Sequence, residues 1–215
     1  MTPQEKTALV QGLKQQHGDL IEVAVPGSPD VFVISTRCTK ETYLKYKTDQ
    51  RHPAQRYNAN ENLAKACVVY PGRAELSSIF QDNGFFARTL TNEIKLFSGA
   101  SLEHQRRTEL EDGDVTEALQ VKWGKAMFSL TVPDDPNVSV IARRAGNDVT
   151  RQRKKDEDNE MPGETLDEKL CQACTVWPDN YQLILDRYPF FIEELAGEIM
   201  LYSGALMQAN IAKKL

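Results

Sequence analysis

No window of the sequence approaches the roughly 18 consecutive apolar residues of a membrane span. The opening residues MTPQEKTALVQGLKQQ also lack the apolar centre of a secretory signal. A chain of this kind is expected in the cytoplasm. Cysteine is scarce, and Cys38, Cys67, Cys171 and Cys174 are expected there as reduced thiols rather than a disulfide framework. Basic charge is short: 26 Lys and Arg against 31 Asp and Glu leave a net charge of −5, with no electrostatic footprint for nucleic acid. There is no glycine-rich phosphate loop. The three histidines, His17, His52 and His104, sit in polar stretches and offer no nucleophile–base pair or metal set. What remains, 40% hydrophobic and 27% charged over 215 residues, is globular material for one large domain or two small ones.

What the chain does have is a repeat. Glu61 to Ala100 reads ENLAKACVVYPGRAELSSIFQDNGFFARTLTNEIKLFSGA, and Glu168 to Ala205 reads EKLCQACTVWPDNYQLILDRYPFFIEELAGEIMLYSGA. Leu63, Cys67, Pro71, Phe85, Phe86, Ile94 and Gly99 return as Leu170, Cys174, Pro178, Phe190, Phe191, Ile199 and Gly204. The offset is 107 residues at the start (67 to 174) and 105 at the end (99 to 204), so two residues are missing after Pro178, where a loop absorbs them. Upstream, Pro29, Val33, Arg37 and Lys47 fall on Pro136, Val140, Arg144 and Lys154 at the same offset. A period near 100 residues points to two small domains or one pseudo-symmetric domain, not a solenoid, whose repeats run at about 20–50. The expected fold is α+β and mainly helical: two tandem repeats, each a β-hairpin followed by three to four helices.

In chain order, Thr2, Pro3 and Glu5 open a capped helix over residues 1–18, read as a lid or an oligomer arm. Repeat 1 spans 19–100. Asp19–Val25 and Val31–Ser35 are strand-like runs around the turn formers Pro26 to Asp30. Thr39 caps a helix through Tyr43 and Lys47, and Thr48–Asn58 reads as a loop. Leu63, Ala66, Cys67 and Tyr70 make a helical stripe stopped by Pro71. A short helix covers about Arg73 to Gln81, and a longer one carries Leu90, Ile94 and Phe97 and closes on Gly99 as a left-handed cap. Residues 101–120 form a charged junction. Repeat 2 spans 121–215, with Val121–Val132 and Val138–Ala142 as its hairpin. Arg151 to Glu160 reads as a solvated helix end or loop, because its acids cancel its bases. The last helix is free to run past Gly204 toward Leu215.

Chemistry is thin. Cys171-Gln-Ala-Cys174 has dithiol spacing but no second pair and no leading strand, so packing thiols are expected. Glu93 and Glu198 recur at one repeat position, the single carboxylate signal, and read as helix-surface or helix-pairing acids. No cofactor, metal or catalytic residue is expected, and the chain reads as a protein that works through surfaces.

The Val/Ile-rich opening strand, the helix bearing Thr39-Lys40-Glu41 and Tyr43, Ala66-Cys67-Val68-Val69-Tyr70-Pro71, and a final helix with Glu93-Ile94 and Ser98-Gly99 resemble the small tail assembly chaperones of tailed bacteriophages. The resemblance covers Val31 to Ala100 and, more loosely, Val138 to Ala205. A typical member resembles one copy, so the fused pair would stand in for a dimer. The resemblance implies a non-catalytic factor of the host cytoplasm. It would coat the helical tape-measure protein and deliver it to tail-tube protein, binding neither nucleic acid nor membrane, with self-association as a further option. Its partner-binding residues are expected at Tyr70, Phe85 and Phe86 and at Trp177, Phe190 and Phe191. Gln208–Leu215 is expected as a tether for a longer, frameshifted form. The rival reading is a virion structural protein of the neck or capsid, with an enzyme built from polar loops as the third.

Overall fold

A computed structural model describes residues 1–101, 107–111, 113–124 and 126–204. They form two α+β units, the first made of Met1–Ala100 and completed by Asp186–Phe190, the second made of the other described residues.

In the first unit, helix α1 (Pro3–His17) starts on the expected capping box: the Glu5 carboxylate accepts the Thr2 N–H at 2.6 Å, and the Thr2 hydroxyl accepts the Glu5 N–H at 3.3 Å. None of its residues is buried. Lys6 ties it to the sheet, 2.6 Å from Glu22 and 4.2 Å above the Phe32 ring centroid. Strands β1 (Leu20–Val25) and β2 (Ser28–Thr36) form the hairpin around Pro26 and Gly27. Its turn is tighter than the sequence suggests: a register shift between Ala24 and Val25 accommodates Pro29, which has no N–H to give the ladder.

Helices α2 (Lys40–Arg51) and α3 (Ala59–Cys67) follow. The helical stripe was expected to reach Tyr70, but α3 stops at Cys67 and Val68–Tyr70 becomes strand β3. The reason is tertiary. Two β-branched residues and an aromatic meet the open edge of β2, where Ile34 faces Tyr70 and Ser35 faces Val68. Helices α4 (Arg73–Asp82) and α5 (Phe86–Phe97) complete the unit, and Gly99 adopts the expected left-handed φ of 96°. The core joins Val33, Tyr43, Leu63, Cys67, Leu90 and Ile94.

The second unit runs β4 (Thr108–Glu109), α6 (Glu117–Trp123), β5 (Met127–Val132), β6 (Asp135–Arg143), α7 (Asn147–Asp158), α8 (Gly163–Cys174), β7 (Thr175–Trp177), α9 (Tyr181–Arg187) and α10 (Phe191–Tyr202). Its sheet has the order β4-β5-β6-β7. The element bounds echo the first unit: β1, β2, α2 and β3 fall on β5, β6, α7 and β7 at the offset of 107, and α5 falls on α10 at 105. The shortened α9 takes the place of α4 where the two residues are missing.

Two expectations need correction here. The junction 101–120 contains β4, which pairs with β5, and most of α6. Val121 and Trp123, expected in a strand, are helical, and Gly124 at φ 83° ends that helix before β5 begins. At the other end, α10 stops at Tyr202 and Gly204 takes φ 93°. Residues 205–215, with the expected tether Gln208–Leu215, lie outside the described residues, as does His104. No helix among the described residues is long and apolar enough to cross a membrane.

Candidate binding grooves

The six aromatic candidates differ widely in burial. Phe86 and Phe191 are 2% and 0% exposed, core side chains at the start of α5 and α10. Tyr70 is half-buried and stacks on Phe32 at 5.4 Å. Trp177 is 45% exposed at the end of β7, and Phe85 is 85% exposed. Phe190, the repeat partner of Phe85, is 5% exposed and lies in the core of the first unit.

Phe190 is held closely. Its ring meets Tyr43 edge-on at 4.9 Å and Tyr46 at 6.1 Å, and its N–H donates to the Ser98 carbonyl at 3.2 Å. The rest of its segment is fixed residue by residue. Asp186 pairs with Lys40 at 3.6 Å, Arg187 with Asp19 at 2.6 Å, and Tyr188 lies 4.7 Å from the Arg37 guanidinium. The same guanidinium covers Phe97 at 3.8 Å and donates to the Phe97 carbonyl.

The repeated Ser-Gly does more than end a helix. The Ser98 hydroxyl accepts the Cys38 N–H at 2.8 Å, and the Ser203 hydroxyl accepts the Ala145 N–H at 2.8 Å. Each last helix is thereby pinned to the turn before α2 or α7. The thiols behave as packing groups. Cys171 and Cys174 are fully buried, and burial pushes both upward, Cys174 to about 11. Cys38 is raised by its hydrogen bond to Cys67 and by burial, a contact the sequence did not announce. Glu93 is exposed, whereas Glu198 is buried and paired with Arg107 at 3.1 Å, so the two recurring acids share no role. No group of three or more His, Cys, Asp or Glu side chains among the described residues could hold a metal ion.

A feature that does recur is a groove. In the first unit, Glu41, Thr42, Lys45, Tyr46 and Asp49 of α2 face Asn62, Leu63 and Ala66 of α3 around about 250 Å³. In the second, Asp148, Val149, Gln152, Arg153 and Asp156 of α7 face Lys169, Leu170 and Ala173 of α8, with Leu166, around about 320 Å³. Every residue lining the first groove has its counterpart, 107 positions on, lining the second.

At the base of each groove a buried aspartate ties the two helices together. Asp49 accepts from Lys45 at 2.9 Å and from Asn62 at 3.0 Å. Asp156 accepts from Gln152 at 2.9 Å and from Lys169 at 2.8 Å. The ammonium and the amide have changed places between the copies, yet each aspartate keeps one of each. For Asp49, burial pushes the carboxyl up and the bonds from Lys45 and Asn62 outweigh it; for Asp156, the bonds from Lys169 and Gln152 pull it down.

No family model, curated protein or solved structure matches the chain. Sequence reading missed the grooves because it followed the apolar positions of the repeat. The signal was the pair Asp49 and Asp156, each four residues after, and thirteen before, a side chain able to donate to it.

Proposed function

We propose that the chain is a non-catalytic assembly chaperone of the phage-tail kind, acting in the host cytoplasm on a tape-measure protein and passing it to tail-tube protein. The observation that carries this reading is the pair of grooves between helices, matched residue for residue at one offset. A tape measure exposes apolar helical stripes until tube protein surrounds it. Such a client needs several weak, exchangeable contacts, and helix-in-groove docking at two like sites supplies them.

The test is co-expression with a phage tape-measure protein. The wild-type chain should keep that protein soluble, and a variant with both grooves blocked, Ala66→Arg with Ala173→Arg, should not. Equal solubility with the blocked variant would count against the grooves as the client site. Finding the chain at fixed copy number in purified particles would favour the virion-component reading.

A further inference from the structure

We infer that both grooves take one class of segment: an amphipathic helix that lays an apolar stripe on the groove floor and carries lysine or arginine at the end facing Glu41 or Asp148. The inference rests on the groove reading above and adds the chemistry of the occupant. Size comes first. Ligand pockets for small molecules run from about 300 to 1,000 Å³; grooves of about 250 and 320 Å³, just below and just above the lower end of that range, have room for a few side chains of a helix laid across them. The floor is apolar in both, Leu63 with Ala66 and Leu170 with Ala173.

Charge gives the orientation. Inside each groove the charges cancel in pairs: Lys45 with Asp49 at 2.9 Å, Lys169 with Asp156 at 2.8 Å, and Arg153 with Asp167 at 3.0 Å. Glu41 and Asp148 remain over. Both are exposed, both lie in the first turn of their helix, and no ion pair among the described residues takes up either. Although the ammonium, the amide and the aromatic of the first groove are all exchanged in the second, a carboxylate stands at this position in each. A basic side chain arriving there meets the one charge of the groove without a side-chain counter-ion among the described residues, and an acidic one meets repulsion.

The probe is a fluorescein-labelled amphipathic peptide of leucine and alanine ending in two lysines, titrated against the full chain beside the same peptide ending in two glutamates. Two lysine peptides should bind per chain, and the glutamate peptide more weakly. Glu41→Lys and Asp148→Lys, both at exposed positions, should each weaken one of the two sites about fivefold, the upper end for a solvent-exposed ion pair. The double variant should then prefer the glutamate peptide. Equal binding of the two peptides, or two sites indifferent to both substitutions, overturns the inference. If charge preference is absent while the blocked variant still fails to protect the tape-measure protein, this inference falls and the chaperone reading stands. If the peptides bind as expected while the tape-measure protein is never protected, the chaperone reading falls and this one stands.

Discussion

A carboxylate taken out of water needs donors, and Asp49 and Asp156 each find one on their own helix and one on the next. Both carboxyls are held below their ordinary value of 3.8. A depressed folded pKa contributes stability that is fully present above the unfolded value and is lost as pH falls through the folded one. Thermal melts of the wild type should therefore fall off below about pH 4. Asp49→Asn and Asp156→Asn should melt lower at neutral pH and lose less in that acid window; parallel curves would show the aspartates to be uncoupled from folding. The buried thiols give the opposite kind of prediction. Cys171→Ala with Cys174→Ala removes apolar volume and should lower stability by roughly 1 kcal/mol per site without altering partner binding. Stoichiometric zinc in protein prepared without chelator would contradict a packing role.

At the scale of elements, Phe85 and Phe190 occupy one repeat position, yet one is 85% and the other 5% exposed. Phe190 is buried because Tyr43 and Tyr46, far off in sequence, offer it a face. Phe190→Ala should destabilise the first unit by about 3–5 kcal/mol, while Phe85→Ala should stay within about 0.5 kcal/mol; chemical denaturation of the two variants separates the cases. The same contrast marks what the sequence could tell. Period and punctuation made the hairpins, most of α2, the glycine cap at Gly99 and the buried Cys67 and Cys174 legible, since each depends on neighbours along the chain. The end of α3 was not legible, because the edge of β2 decides that Val68–Tyr70 is a strand. Nor was α6, whose Val121 and Trp123 suit a strand but follow Thr116 and Glu117 into a helix. The grooves were not, because the polar residues that line them beside Leu63, Ala66, Leu170 and Ala173 are not weighed by hydrophobic periodicity.

For the molecule as a whole, the first unit is not continuous in sequence, since Asp186–Phe190 completes it. A fragment ending at Ala100 lacks Phe190 and leaves Tyr43 and Tyr46 uncovered. It should bind a hydrophobic dye and melt without a sharp transition, whereas the full chain should do neither; a cooperative, dye-silent fragment would show that the segment is dispensable. The same arrangement has a consequence during protein synthesis. The ribosome releases the N-terminal residues first, but Phe190 follows Ala100 by ninety residues, which at about 5–20 residues per second is a delay of roughly 5–18 s. Through that interval the nascent N-terminal half carries an unfinished aromatic face, so the half of the chain that is made first cannot complete its fold until most of the second half has been made as well.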